Sequence, residues 1–545
     1  MPRVNAAQAL HKLQVTQALL GTRILRPMRP DKAVRMIATL SRWGPTPAAA
    51  YAGAAVQFPD RTAIIDERGA VTFGQIQRRT NALANELRAR GVGEGDGVAI
   101  MCRNHRGFVE ATVACAKLGA GALYLNTSFA GPQIADVVER EDPVALIYDE
   151  EFEVLVGEAG GGRKRFLAWT EPGADRSEIG QHEPVLEDLI AAGSDAELDP
   201  PEEKGRVVIL TSGTTGTPKG APRKQPDSIE PAAALFSKIP LRARETTVIA
   251  APMFHSWGFA HLTLALPLGS TVVLARKFDP ENTLRLVATH RASALALVPV
   301  MLQRILELGE GVISRYDTRS LRVIALSGSA LPGELATRAM DVLGDVLYNL
   351  YGSTEVAWAT IATPADLREA PGTAGRAPMG TVVKLLDDDG REVPPGVTGR
   401  IFVGNEMVFE GYTGGGNKQV IGGLMSTGDV GRFDYAERLF VEGRDDEMIV
   451  SGGENVFPRE VEDLLAKLPD VGDVAVVGVE DDEFGQRLKA FVVLRDGASS
   501  TEKSIQDHVK ANLARFKVPR EVVFLDELPR NATGKILKRE LQGVG

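Results

Sequence analysis

Short apolar runs recur along most of the chain, separated by stretches of mixed polarity. Ala63–Ile65, Val98–Met101, Ala145–Tyr148, Val207–Leu210, Val248–Ala250, Thr271–Leu274, Ala294–Val298, Leu321–Leu326 and Val346–Leu350 are of this kind. Each is too short for a helix and apolar nearly throughout, the pattern of a buried strand. Helical spacing fills several of the intervals: Val71-Thr-Phe-Gly74 opens a helix through about Arg90, and another runs around 107–118. This βαβ rhythm predicts an α/β fold of mainly parallel sheets covered by helices. Residues 157–205, rich in Gly, Pro and acids, read as a surface excursion. No internal repeat or heptad run is present.

Two stretches need a closer reading. Between Glu245 and Arg276 lie 30 uncharged residues, enough to span a bilayer. Pro252, His255, Gly258, His261, Pro267 and Gly269 interrupt them, so strand, loop, helix and strand within a core is the expected structure. Residues 1–45 place Leu10, Leu13, Leu20 and Ile24 at helical spacing, with breaks at Pro27 and Pro30 and an end at Pro45 and Pro47. They carry eight Lys/Arg (3, 12, 23, 26, 29, 32, 35, 42) against Asp31 alone, a net of +7. The whole chain is −10, so the remainder is −17. Two readings stand for this segment: an amphipathic helix on an anionic membrane surface, or one packed on the main body.

A length of 545 residues implies two or more domains. Hydrophobic content of 44% and charged content of 25% are those of a soluble globular protein, and the acidic balance argues against nucleic-acid binding. Cys102 and Cys115 offer neither a disulfide framework nor paired metal spacing. A reducing cytoplasm is the expected location, since the N-terminus lacks the sustained apolar stretch of a signal peptide.

The densest chemistry lies in Thr211-Ser-Gly-Thr-Thr-Gly-Thr-Pro-Lys-Gly220. Ten positions hold five hydroxyls, three glycines and one lysine. Glycines let backbone N–H groups approach a polyanion; hydroxyls add donors and Lys219 a compact positive charge. The common nucleotide P-loop has four residues between its glycines and Ser or Thr after its lysine. Here Gly213 and Gly216 are separated by two, and Pro218 and Gly220 flank the lysine.

Further along, Tyr351-Gly-Ser-Thr-Glu355 offers an aromatic face and oxygens suited to magnesium, a hard cation. Ser327-Gly-Ser-Ala-Leu-Pro332 follows a strand with small residues that leave room for a flat ring. Ser426-Thr-Gly-Asp429 presents a carboxylate able to accept from two ribose hydroxyls, and Pro529-Arg-Asn-Ala-Thr-Gly-Lys-Ile536 places a lysine near the C-terminus.

Taken in order, these motifs closely resemble the signatures of the adenylate-forming superfamily: acyl-CoA synthetases, luciferases and peptide-synthetase adenylation domains. The resemblance covers about residues 50–540. After the basic segment 1–45, it implies a large domain over 46–445 binding ATP and the acid, and a small mobile α+β domain over 446–545. It assigns Thr211, Ser212, Gly213, Thr214, Thr215, Gly216 and Lys219 to the phosphates, Thr211 and Glu355 to Mg²⁺, and Thr354 to the α-phosphate. Gly328, Ser329, Ala330, Asn349, Tyr351 and Gly352 join the nucleotide set; Asp429 and Arg444 take the ribose. Lys535 becomes the catalytic lysine, bridging carboxylate and α-phosphate as charge shifts. Asp446 matches the hinge, and Gly452 and Gly453 a loop of the pantetheine tunnel. One departure is that Leu424 and Met425, not an aromatic residue, precede Ser426-Thr-Gly-Asp429, after a Gly-rich stretch over 411–423.

For the acid, Pro252-Met-Phe-His-Ser-Trp-Gly258 lacks the carboxylate that would hold an α-amine. His255, Trp257, Phe259, Val298, Ala357 and Trp358 are the expected acyl-pocket residues, and they are mostly apolar. The overall likeness is to bacterial medium- and long-chain fatty-acyl-CoA synthetases. It implies ATP-dependent conversion of a fatty acid to acyl-AMP, then thioester formation with coenzyme A. The alternatives are a fatty-acyl-AMP ligase loading a carrier protein and an aryl-CoA ligase. Chain length and oligomeric state stay open, a homodimer among the options. A non-catalytic lipid binder is disfavoured by Lys219, Glu355, Asp429 and Lys535 all being present.

Overall fold

The computed structural model describes residues 6–24, 29–44, 46–171, 183–211, 219–223, 228–413, 415–445, 449–451, 454–481, 485–513, 517–531 and 534–542. Two mainly parallel sheets carry the larger part. In the first, eight strands follow one another in space as Thr360–Ala362, Leu347–Tyr351, Val323–Leu326, Ala294–Leu297, Thr246–Ile249, Thr271–Leu274, Thr62–Asp66 and Gly69–Thr72. Only the two edge strands run antiparallel to their neighbours. In the second, the order is Lys164–Trp169, Ala145–Asp149, Gly97–Met101, Gly121–Tyr124, Val207–Thr211 and Lys219–Arg223, with only the last pair antiparallel. The inner strands are buried on both faces, as at Val323–Leu326 and Ala294–Leu297. That double burial is why they read as unbroken apolar runs.

Parallel alignment positions the site. The strands Thr246–Ile249, Ala294–Leu297, Val323–Leu326 and Leu347–Tyr351 end on the same side. The segments that follow them therefore open towards one crevice, as ligand sites do in such sheets.

Two further sheets complete the described residues, one antiparallel and one mixed, because Glu521–Phe524 runs parallel to Gly485–Leu494. One has the order Val382–Leu386, Gly399–Gly404, Leu424–Phe433 and Val420–Ile421, with Leu439–Arg444 along the other side of Leu424–Phe433. The last is Glu454–Val456, Ile449–Ser451, Gly485–Leu494 and Val471–Asp481, joined by Glu521–Phe524. It packs with Pro458–Leu465 and Glu502–Asn512 around a separate apolar cluster that includes Val461, Leu465, Val476 and Val509.

Several details depart from the reading of the chain. Gly69–Thr72 is a strand paired with Thr62–Asp66, and the helix starts at Phe73, two residues after Val71, where Thr72 and Gln75 form a capping box. Gly121–Tyr124 is an unanticipated strand. The stretch 157–205 contains a strand, Lys164–Trp169, and a helix, Leu186–Ala192. The loop after Val207–Thr211 returns as Lys219–Arg223 in an antiparallel hairpin, with Thr211 opposite Lys219.

The N-terminal segment is helical as expected, in pieces: α1 (Ala6–Gly21), α2 (Pro30–Trp43) and α3 (Pro47–Gln57). Pro47 opens α3, where a missing N–H costs nothing, and Thr46 caps it by accepting from Ala49 N–H. The uncharged stretch resolves into Thr246–Ile249, Ser256–Ala265 and Thr271–Leu274. Among the described residues, no helix is long and apolar enough to cross a membrane.

Candidate active site

Tyr351, at the end of its strand, donates its phenol to Asp429 at 2.5 Å and lies 3.2 Å from the Thr427 hydroxyl. Asp429 stands opposite Arg444 in the antiparallel ladder, with guanidinium and carboxylate 3.6 Å apart. Burial pushes the Asp429 carboxyl above its usual range, against the opposing pull of Arg444, Tyr351 and Lys535. Such a carboxylate, backed by a cation and facing a cavity, suits a pair of ribose hydroxyls. Asn349, one residue pair upstream on the strand of Tyr351, has a buried side-chain oxygen with no hydrogen-bond partner. An orphaned acceptor beside this carboxylate fits an adenine amino group.

Glu355 is buried. Burial alone would raise its pKa, but hydrogen bonds from Tyr412 and Ser353 and the charge of Lys418 hold it below the usual carboxylate range. The Tyr412 phenol lies 2.5 Å from Glu355 Oε1, and Lys219 Nζ sits 5.4 Å above the Tyr412 ring. Gly220 N–H donates to the Thr413 hydroxyl at 3.1 Å. Tyr412 thus links the far end of the hydroxyl-rich loop to an ionised carboxylate, a set suited to Mg²⁺ and phosphate. Sequence reasoning missed Tyr412, Thr427 and Lys418. Tyr412 had a signal, since it lies in the Gly-rich stretch 411–423 that precedes the departure at Leu424 and Met425.

The turn 352–358 shapes the adjoining pocket. A Cβ at Gly352 would lie 2.3 Å from the Ala357 carbonyl oxygen, so only glycine allows the turn to fold back. Ala357 takes a left-handed backbone at φ 62°, an unusual conformation for a residue with a side chain. Asn405 holds the turn by donating to the Val356 and Trp358 carbonyls at 2.8 and 2.9 Å. His255 precedes the helix Ser256–Ala265, and Trp257 donates to the Leu297 carbonyl at 3.0 Å. His255, Trp257, Phe259, Gly328, Ser329, Ala330, Ala357 and Trp358 line one cavity with Asn349, Tyr351, Gly352, Thr354, Glu355, Asp429, Arg444 and Lys535. Val298 is buried behind that wall, 3.4 Å from where a Cβ of Gly328 would stand.

Lys535 is exposed at the cavity rim. Its loop is closed by Asn531, whose side chain accepts from Lys535 N–H at 2.9 Å. Gly534, at φ +78°, lies against the start of the helix Pro299–Glu307: a Cβ there would be 2.3 Å from Val300 Cγ1. The loop that bears the lysine is thereby seated on the segment following Ala294–Leu297. The side chain of Thr211, residues Ser212, Gly213, Thr214, Thr215 and Gly216, the hinge position Asp446, and Gly452 and Gly453 lie outside the described residues.

Cys102, His105 and Asp149 bring their ligand atoms within 4.8 Å of one another. Yet His105 Nδ1 accepts from Gly107 N–H at 3.0 Å and its Nε2 lies 2.8 Å from Asp149, whose other oxygen accepts from Arg103 N–H. Both ring nitrogens are engaged: His105 caps the helix Arg106–Leu118 and Asp149 holds its ring.

His261 is buried against Trp257, ring centroids 4.5 Å apart, with neither nitrogen hydrogen-bonded. Burial depresses its pKa to about 4. Because the unfolded chain binds this proton near the ordinary histidine value, stability falls as pH drops from about 6.5 towards 4, by at most about 1.4 kcal/mol per pH unit. Replacing His261 by Phe should flatten this part of the melting-temperature profile. An unchanged acid slope would show that His261 does not cause it.

The AMP-binding enzyme profile matches residues 52–413, and that of the AMP-binding enzyme C-terminal domain matches 460–535. An indoleacetate–CoA ligase of Aromatoleum aromaticum is 34% identical over 493 residues, covering 89% of this chain and 95% of its own. Among solved structures, an anthranilate CoA ligase in complex with anthranoyl-AMP superposes with a TM-score of 0.81 at 26% identity, covering 91% of this chain and 96% of its own. The o-succinylbenzoate CoA synthetase of Bacillus subtilis, in complex with its acyl-adenylate, gives 0.80 at 28% identity, with 91% and 98% covered.

Proposed function

The chain belongs to the AMP-binding enzyme family, and on that premise we propose that it is an ATP-dependent, AMP-forming CoA ligase whose acid carries an aromatic ring. The observation that carries the reading is the single cavity in which a ribose-type carboxylate (Asp429), an ionised buried carboxylate (Glu355) and a lysine (Lys535) adjoin an apolar pocket without an acid. In this reading the acid carboxylate attacks the α-phosphorus of ATP, and pyrophosphate leaves. The thiol of coenzyme A then displaces AMP from the acyl-adenylate. Lys535 offsets the charge developing between carboxylate and α-phosphate; Glu355 and Thr211 hold Mg²⁺; Asp446 is the hinge, and Gly452 and Gly453 line the thiol's path.

The relatives named above support the aryl alternative over a plain fatty acid. Trp257, Phe259 and Trp358 offer faces for a ring, and small residues at 328–330 leave a slot for it. A fatty acid stays the second reading, favoured by the apolar lining that the cavity also has at Leu264, Pro267, Ala49 and Ala50. Magnesium, peripheral membrane contact of residues 1–45 and a cytoplasmic location belong to this proposal as well. CoA-dependent AMP release should be measured over acetate, fatty acids, benzoate, cinnamate and indoleacetate. The expected result is turnover of one or more aromatic acids with kcat/KM at least about tenfold above acetate. Release with acetate or fatty acids but with no aromatic acid, or none with any acid, would refute the proposal.

A further inference from the structure

The cavity does not end at the acyl pocket. Besides His255 and Trp257, its lining takes in Leu264 and Pro267, Ala49, Ala50 and Gly53 of α3, and Met36 and Leu40 of α2. Helix α2 has no buried residue. It is held at both ends, by Lys32 donating to the Gln57 carbonyl at 2.9 Å and Arg42 to Asp199 at 2.8 Å. Its apolar side is wider than the contact it makes. Met36 faces α3, while Val34, Ile37 and Leu40 are 67%, 62% and 44% exposed. On α1, Leu13 and Leu20 are also more than half exposed. The family profile begins only at residue 52, so this helix pair lies outside the matched enzyme core.

An uncovered apolar helix face needs an occupant. The +7 charge of residues 1–45, on a chain otherwise net acidic, complements an anionic lipid surface and opposes a second copy bringing the same charge. The cavity reaches the same helix from inside, through Leu40. We infer that α1 and α2 dock on an anionic bilayer, and that the channel behind α2 admits the apolar tail of an acid drawn from it. The substrate class is then a lipophilic carboxylic acid, its carboxyl end at the adenylate site and its tail between α2 and α3. This inference rests on the CoA-ligase reading for the acid, and on the exposed apolar face and the charge of residues 1–45 for the bilayer.

Two arms test it on the full chain. In the first, protein is sedimented with vesicles of phosphatidylcholine alone or with about a third phosphatidylglycerol. Binding is expected only with the anionic lipid, with loss of at least about tenfold in affinity between low salt and roughly 0.5 M. The double variant Val34→Ser/Ile37→Ser should lose binding while its melting temperature stays put, since neither residue is buried. Absence of binding, equal binding by the variant, or a concentration-dependent dimer abolished by the variant overturns the bilayer. In the second arm, kcat/KM is compared for benzoate and para-alkylbenzoates with butyl, octyl and dodecyl tails. It should rise at least about tenfold up to octyl, and Gly53→Leu should reduce the octyl-to-benzoate ratio at least about fivefold. A flat series, or a ratio untouched by Gly53→Leu, overturns the channel. No pyrophosphate release with any acid would instead count against the ligase reading, leaving the vesicle result to stand by itself.

Discussion

Lys535→Ala should lower the rate of pyrophosphate release by at least the roughly 10²–10³-fold typical of losing one transition-state electrostatic partner, yet leave acyl-CoA formation from synthetic acyl-AMP near its normal rate. The argument is geometric. Lys535 is carried by a loop from the C-terminal part, seated through Gly534 on Val300, in the first turn of the helix Pro299–Glu307 that follows the strand Ala294–Leu297. From there its charge reaches Asp429, whose carboxyl it helps to keep from rising further. Only this seating puts the lysine at the nucleotide end of the cavity. If the small domain turns away for the thiol step, the lysine leaves with it and its removal does not matter. Equal slowing of both half-reactions would show that the domain does not alternate.

The second large effect is expected at Asp429. Asp429→Asn keeps the volume and an acceptor for Tyr351 but removes the charge that faces the sugar. Hydrogen bonds to a charged group contribute about 1.5–3 kcal/mol, so kcat/KM for ATP should fall about 10- to 100-fold. Stability should move the other way. Burial raises the folded-state pKa of Asp429, so the folded protein holds this proton more tightly than the unfolded chain. The cost of ionising it is full above the raised pKa and relieved as pH falls through it. The variant should therefore melt higher than the parent at neutral pH, with a margin that shrinks in acid. Glu355 has the opposite sign, contributing stability near neutrality that is lost as pH falls through its depressed pKa. A variant at Asp429 that is less stable at every pH, or that binds ATP normally, would contradict this account.

The parallel strands were legible because burial on both faces leaves no polar position to interrupt an apolar run. Lys164–Trp169 was not, since Lys164 and Arg165 and acidic neighbours hide an edge strand whose last four residues alone are buried. The hairpin around the hydroxyl-rich loop was unreadable for another reason: Lys219–Arg223 contains Gly220 and Pro222, residues that argue against a strand. Here an edge position tolerates the proline. In the site, Tyr351, Glu355, Asp429 and Lys535 were found because each sits in a compact motif. Tyr412 reaches Glu355 across 57 residues, a contact made by the packing of the third sheet against the first.

The cavity shared by α2 and the adenylate end also bears on what becomes of the activated acid. An acyl-adenylate is a mixed anhydride, and its lifetime depends on keeping water out until the thiol arrives. In this protein the tail of the substrate is itself the stopper. An acid long enough to fill the space between α2 and α3 closes the path behind it, whereas a short acid leaves a wet corridor to its own anhydride. Short acids would then be hydrolysed back at the expense of ATP before they are ever esterified, so selection for length acts once at entry and again as a leak.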